Sequence, residues 1–270
     1  MLMQQAILKS QKDPHPNESA LYENMSLVIP AYNEADRIRP TLKDIMGNLG
    51  NLKEVIVVTD GNDSTPEVAK SFGPKIRVLE YNKKLGRGGA IIEGFRAASG
   101  NVVCFIDADN SAPWNELKRL SQMVDQDNKC VIGSRWMKDS KIDTRESWFK
   151  IVSGRVWRYL IFAFLGLNLE DVQCGLKCFD GPTLRSVLDK VTITNRLFDL
   201  ALLLNIKEKG VRIKEVGIQW SHNKDSRMPY VHIIPIMFLY LFGLRIAHSR
   251  FSGIFSKTLK NASAQLNNFH

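Results

Sequence analysis

The run "VVCFIDADNSAP", residues 102–113, ends a hydrophobic stretch with two carboxylates one residue apart, Asp107 and Asp109. Like charges that close repel, and each resists leaving water. Neutralisation by a cation is the chemistry that makes such a pair useful. Carboxylate oxygens suit hard divalent ions, Mg²⁺ or Mn²⁺, which keep several waters and bridge to substrate phosphates. The pair could equally cap the helix that follows, with Pro113 near its first turn. Spacing alone offers no third metal ligand, since Asn110 and Ser111 are poor ones.

Two more polar stretches follow apolar runs, "IPAYNEADRI" (29–38) and "VVTDGNDSTPEVAK" (57–70). A pocket that reads a nucleobase needs backbone groups and a carboxylate near the base edge and ribose. Glu34 and Asp60 could supply it, or could cap helices. In "NKKLGRGGAIIEGF" (82–95), Gly86, Gly88 and Gly89 permit close backbone approach ahead of a helix, and Lys83, Lys84 and Arg87 add positive charge. That arrangement suits a phosphate, or merely packs helix on sheet. It is neither a P-loop nor a GxGxxG.

Something must bring these stretches together. Apolar runs at 25–30, 54–58, 75–81 and 102–106 alternate with helical patterns at 34–46, 66–72 and 88–98. Continuous Val/Ile runs between helices predict a parallel sheet buried on both faces. Its polar strand ends, 30–34, 60–64 and 107–111, should converge on one crevice. Beyond "CVIGSRW" (130–136) the spacing predicts an amphipathic helix over 145–167, a strand at 175–181, a helix over 196–209 and an alternating strand at 211–220.

Composition narrows the classes. The chain has 270 residues, 44% hydrophobic, and 37 Lys and Arg against 28 Asp and Glu for a net charge of +9. Such an excess suits polyanions or an anionic membrane surface. No zinc finger, helix-turn-helix or RRM signature accompanies it, so nucleic acid is not the expected partner. Cys104, Cys130, Cys174 and Cys178 lie mostly in apolar runs, as buried thiols of a reducing compartment do. Cys174 and Cys178 have no His or second Cys pair beside them, which argues against zinc. No basic segment followed by a long apolar core opens the chain, and residues 1–24 read as a loose arm.

Taken in order, "SLVIPAYNEADRI", "VVTDGNDST", "NKKLGRGGAIIEGF", "CFIDADNSAP", "VIGSRW", "DVQCGLKCF" and "FDLALLL" resemble the large inverting glycosyltransferase family with the GT-A fold. More narrowly they resemble its polyprenyl-phosphate branch, the dolichyl-phosphate mannose synthases and glucosyltransferases. The match runs from about Met25 to about Trp220. The resemblance implies an α/β, Rossmann-like, mainly parallel sheet flanked by helices. It implies that Pro30, Ala31, Tyr32, Glu34 and Asp60 line a nucleotide pocket, with Arg87, Ala108 and Arg227 completing the donor site. It makes Asp107 and Asp109 the ligands of a Mg²⁺ or Mn²⁺ that holds the donor diphosphate, and sets Arg135 near the phosphates. Asp171 aligns with an acidic position that orients acceptor or sugar, or is a turn residue. Two departures stand out: Ser111 replaces the glutamine many mannose synthases carry, and the second turn reads Thr59-Asp60-Gly61 rather than a paired Asp-Asp.

The acceptor side is read from charge and aromatics. Between Arg135 and Arg158, seven Lys/Arg face three acidic residues, and Arg145, Lys150, Arg155 and Arg158 interleave with Trp148, Phe149, Trp157 and Tyr159. Cations and aromatics beside an apolar face make an interfacial membrane helix, or an ordinary helix with a solvated side. Arg135, Arg145 and Arg155 are the expected contacts of a lipid phosphate. The charge-free stretch 228–244 has 17 residues and contains Pro229, His232 and Pro235. A spanning helix needs about 20 apolar residues, so an interfacial segment is expected here. The organisation expected is an arm at 1–24, a catalytic domain at 25–225 and a membrane-associating segment at 226–270. The expected reaction is transfer of a hexose from UDP-glucose or GDP-mannose to dolichyl or polyprenyl phosphate at the cytoplasmic membrane face. The alternative is a glycan or other hydroxyl acceptor, for which Asp171 or a neighbour would be the base.

Overall fold

Short Val- and Ile-rich runs build the centre of the molecule. The computed structural model describes residues 23–143, 148–191, 193–195, 197–221 and 241–245. Residues 1–22, Arg145, Arg227 and most of the segment 226–270 lie outside the described residues, as do the expectations placed on them.

The first half alternates strand and helix: β1 (Met25–Ala31), α1 (Ala35–Asn48), β2 (Glu54–Thr59), α2 (Thr65–Lys70), β3 (Ile76–Glu80), α3 (Gly86–Ala97) and β4 (Val102–Ile106). Then come α4 (Trp114–Ser121), β5 (Cys130–Ser134), β6 (Lys141–Ile142), α5 (Trp148–Leu165), β7 (Leu176–Asp180), α6 (Gly181–Leu188), α7 (Phe198–Glu208), β8 (Ile213–Gly217) and β9 (Gln219–Trp220). Seven strands form one sheet in the order β3-β2-β1-β4-β7-β5-β8, and β6 pairs with β9 apart from it. β1 lies between β2 and β4, both parallel to it. The chain therefore reverses its direction of winding between β1 and β4, which opens a crevice at the carboxyl ends of those strands.

The sheet is mainly parallel, with one exception that periodicity does not disclose. β7 runs antiparallel to both β4 and β5, and faces Cys104 with Cys178 and Val131 with Cys178. Its beginning, not its end, thus reaches the crevice. The single strand expected at 211–220 is two, β8 and β9, broken at Ile218. The expected strand at 175–181 stops at Asp180, whose carboxylate accepts the backbone N–H of Thr183 and caps α6.

Alternate side chains of the buried strands feed two cores. Val28, Ile56, Val58, Val103 and Phe105 point to α3, α6 and α7 on one face, whereas Leu27, Ile29, Val55, Val57 and Cys104 point to α1 and α4 on the other. Covering both faces explains why the runs are apolar throughout rather than alternating. Phe95 of α3 meets Phe105 and Phe179 edge-on, at centroid distances of 5.9 and 5.7 Å. Burying each ring contributes about 2–3 kcal/mol.

α5 packs Trp157, Leu160, Ile161, Phe164 and Leu165 against the first core. Val152, Val156, Tyr159 and Phe162 on its other side are half or more exposed. Among the described residues, no helix is long and apolar enough to cross a membrane.

Candidate active site

Asp107 leaves β4 at the crevice and meets a cation. Arg87, in the first turn of α3, donates to Asp107 Oδ1 from Nε at 3.2 Å and from Nη2 at 3.0 Å. Its Nη1 donates to Asp199 Oδ2 at 2.8 Å. Asp199 is fully buried at the start of α7, and its Oδ1 accepts Lys177 Nζ at 2.7 Å. Lys177, equally buried, also donates to the Cys174 carbonyl at 2.6 Å. Four alternating charges thus run from the crevice into the core, flanked by the Phe105 and Phe198 rings, each centred 5.6 Å from the Arg87 guanidinium. Burial disfavours the charge on Arg87, but Asp107 and Asp199 outweigh it and hold the guanidinium protonated far beyond its ordinary range. The motif strings contain Lys177 and Asp199, yet neither is named among the expected site residues. Their signal was a lone charge inside an apolar run, as in "GLKCF" and "FDLALLL".

Asp109 does not cap α4. Its Oδ1 accepts the Ser111 backbone N–H at 3.1 Å, and the N-cap of α4 is Pro113. Ala108 between the aspartates is buried, and its carbonyl accepts Thr41 Oγ1 at 2.7 Å, which ties the acidic loop to α1. Gly175 lies close behind Asp107, where a Cβ would fall 1.9 Å from Asp107 Oδ2 and displace the carboxylate from its present place.

Glu34 holds the N-cap position of α1, but its side chain caps nothing. It pairs instead with Arg37, Nε to Oε2 at 2.6 Å. Burial raises its proton affinity, Arg37 lowers it, and Asp109 and Asp107 raise it again, for a net upward shift. The three carboxylates therefore share one field. Asp60, buried after β2, accepts the backbone N–H groups of Leu85 and Gly86 through Oδ2, at 2.6 and 3.0 Å. It holds the N-terminus of α3. Pro30 and Ala31 end β1, and Tyr32 beyond them is 47% exposed, with Lys84 Nζ 4.7 Å from its ring centroid.

A second clamp closes the other side. Arg135, just past β5, donates from Nε and Nη2 to the two oxygens of Asp171 at 2.7 and 2.9 Å, and its backbone N–H adds a third bond at 3.0 Å. The guanidinium lies 5.4 Å from the Trp220 ring centroid. Trp220 also comes within 3.2 Å of a Cβ built on Gly175, so this clamp adjoins Asp107. Burial would raise the Asp171 carboxyl, but Arg135 outweighs it and holds the group below the usual carboxylate range. Asp171 sets Arg135 in place and is a weak base. Arg155 stands exposed on α5, and Arg158 pairs with Glu170 at 2.5 Å.

The acidic pair fits a divalent cation. Asp107 already binds a cationic side chain, and the pair adds to the burial that pushes Glu34 upward. Among the described residues no group of three His, Cys, Asp or Glu could hold a metal. Two carboxylates with donor phosphates and water are the ligand set Mg²⁺ or Mn²⁺ accepts.

Comparison with known proteins bears on the family and the fold. The chain is 31% identical over 220 residues to the glycosyltransferase AglD of Haloferax volcanii, a match covering 78% of this chain and 35% of that protein. It thus spans about a third of AglD. It is 27% identical over 244 residues to a dolichyl-phosphate beta-glucosyltransferase of Drosophila melanogaster, covering 80% of this chain and 75% of the other. Glucosyl-3-phosphoglycerate synthase of Mycobacterium tuberculosis, solved with Mn²⁺ and UDP-glucose, superposes with a TM-score of 0.63 at 20% identity, over 86% of this chain and 84% of the other. The model of glycosyl transferase family 2 matches residues 26–191, which takes in six of the seven strands of the main sheet, Arg87, Asp107, Asp109 and the Arg135–Asp171 pair, with Asp199 and Trp220 beyond it. The chain belongs to glycosyl transferase family 2.

Proposed function

We propose that this glycosyltransferase moves glucose from UDP-glucose to dolichyl or a related polyprenyl phosphate, with Mg²⁺ or Mn²⁺ and with inversion at the anomeric carbon. The names of its relatives support the sugar and acceptor, and the mycobacterial structure supports the nucleotide and the ion. A β-linked product from an α-linked sugar nucleotide requires inversion.

The observation that carries the choice of acceptor is the state of Asp171. A hydroxyl acceptor needs a base, and Asp171 is held ionised and bidentate on Arg135. Glu34, whose proton affinity is raised, is spoken for by Arg37. A phosphate acceptor is already an anion at neutral pH and needs no base. Arg135, oriented by Asp171 and Trp220, offers it a fixed positive charge. Asp107 and Asp109 would hold the divalent ion, whose chemistry there is neutralisation of charge developing on the leaving diphosphate. Tyr32, Ala31 and Glu34 border the space for the nucleoside at the end of β1.

The exposed Val152, Val156, Tyr159 and Phe162, with Arg155 on the same side of α5, support contact with a lipid surface. Four free, buried thiols are consistent with the cytoplasmic face.

The test is the full chain with Mn²⁺ or Mg²⁺, polyprenyl phosphate in detergent, and UDP-glucose or GDP-mannose in separate reactions. Sugar should enter the organic phase from UDP-glucose. A signal from GDP-mannose alone reassigns the donor. Transfer to a glycan or alcohol but not to the lipid phosphate would favour the hydroxyl reading.

A further inference from the structure

The two ends of the Arg87 bridge are unequal. On the Asp199 side everything is fixed: Asp199 is fully buried, and Lys177, also fully buried, holds its other oxygen. The backbone that carries Arg87 is locked to the same place. Gly89 N–H donates to the Thr194 carbonyl at 2.9 Å. A Cβ on Gly88 would lie 2.6 Å from the Thr194 and Asn195 carbonyl oxygens and from Phe198 Cβ. On the Asp107 side, by contrast, the carboxylate is 30% exposed at the crevice. A guanidinium held this way can release Asp107 while keeping Asp199.

We propose that Arg87 is a resident counter-cation that occupies Asp107 until the divalent ion arrives, and that Asp199, anchored by Lys177, is the positioning residue that retains Arg87 when the ion takes its place. The inference rests on the metal reading given above. Its consequence is electrostatic. Along the bridge and its neighbour Asp109, the carboxylates of Asp107, Asp109 and Asp199 outnumber the cations Arg87 and Lys177, which disfavours a diphosphate beside them. With a divalent ion added the balance turns positive, and Arg87 stands free on its crevice side to meet the diphosphate. Metal binding thereby becomes the condition for donor binding, and Arg87 changes partner from a carboxylate to a phosphate at no cost in net charge.

Mn²⁺ alone is the probe, and its affinity for the full chain, read from the electron paramagnetic resonance of free Mn²⁺, is the measurement. Arg87→Gln should bind Mn²⁺ about fivefold more tightly than the wild type, because a partly exposed ion pair no longer competes for Asp107. Arg87→Lys, with one charge but no fork to span two carboxylates, should fall between them. Replacing the buried pair together, Lys177→Met with Asp199→Asn, should weaken Mn²⁺ binding about fivefold, since Arg87 then gives its whole charge to Asp107. Removing both partners avoids stranding a buried charge. Should that double variant fail to fold, the two Arg87 variants decide. A merely structural arginine would leave the Mn²⁺ affinity unchanged or lower it when removed, and either result overturns the proposal. Asp109→Asn separates the two readings. If it loses Mn²⁺ while the Arg87 variants match the wild type, the metal site stands and the counter-cation role falls. If it binds Mn²⁺ as the wild type does, both fall.

Discussion

Asp107 and Asp109 sit in the same loop yet keep different company. Asp107 is engaged by Arg87, whereas the Asp109 carboxylate accepts the nearby Ser111 N–H. Asp109→Asn is therefore expected to keep the fold, with a melting temperature within a few degrees of the wild type, while turnover falls at least about 100-fold through loss of charge stabilisation on the leaving group. Retained turnover would remove the metal from the mechanism. Asp171→Asn tests the other clamp. It strands the Arg135 charge and should cost about 3 kcal/mol at neutral pH. Because the folded-state carboxyl is held low, the stability it gives is present above the unfolded value near ~3.9 and is lost as pH falls through the lower folded value. The gap between variant and wild type in denaturant titrations should thus be full at pH 7 and close below about pH 4. A gap independent of pH would show that Asp171 acts by packing.

At the scale of elements, the strands were legible in the sequence because a sheet covered on both faces writes itself as runs such as 102–106, and the carboxyl ends of those runs held the residues of the crevice. The direction of β7 was not legible, since a run of alternately facing side chains reads the same in either sense. α6 escaped notice although "DGPT" carries its cap and an early proline. Lys177 and Asp199 escaped because each reads as an isolated oddity, and only the packing of β7 on α7 makes them a pair. Glu34 shows the reverse: its position suggested a cap, and tertiary structure gave its side chain to Arg37. The exposed stripe on α5 is open to a direct test. Val156→Glu and Arg155→Ala should both weaken binding to anionic vesicles, the second chiefly at low salt, where the Debye length is long. Sedimentation with vesicles that matches the wild type for both would exclude α5 as the membrane contact. In β7 and its flanks, burial pushes the Cys174 thiol up to about 12, and Cys130 and Cys178 also rise. These thiols ionise near ~8.5 in the unfolded chain, so the stability they confer is intact below that pH and drains away as pH climbs toward the folded values. Urea midpoints should fall steadily above about pH 8.5.

Seen whole, the molecule is a sheet with one working edge and one plain edge, and β7 is the strand that breaks the symmetry between them. Six strands of the main sheet send their ends to the crevice, while β7 sends its start, with Gly175 pressed against Asp107. The opposite edge carries short exposed turns such as 125–128, closed by Asp125 accepting the backbone N–H groups of Asp127 and Asn128. This divides the chain into stretches free to vary in length and stretches that are not. Two residues added after Gln126 should leave turnover and melting unchanged. The same two added after Val172 should abolish turnover, because they would lift the glycine that seats Asp107. A reporter dye, an affinity handle or a fused domain therefore has a natural berth at the 125–128 turn. At the entry to β7, by contrast, any added length is transmitted to Asp107 through Gly175.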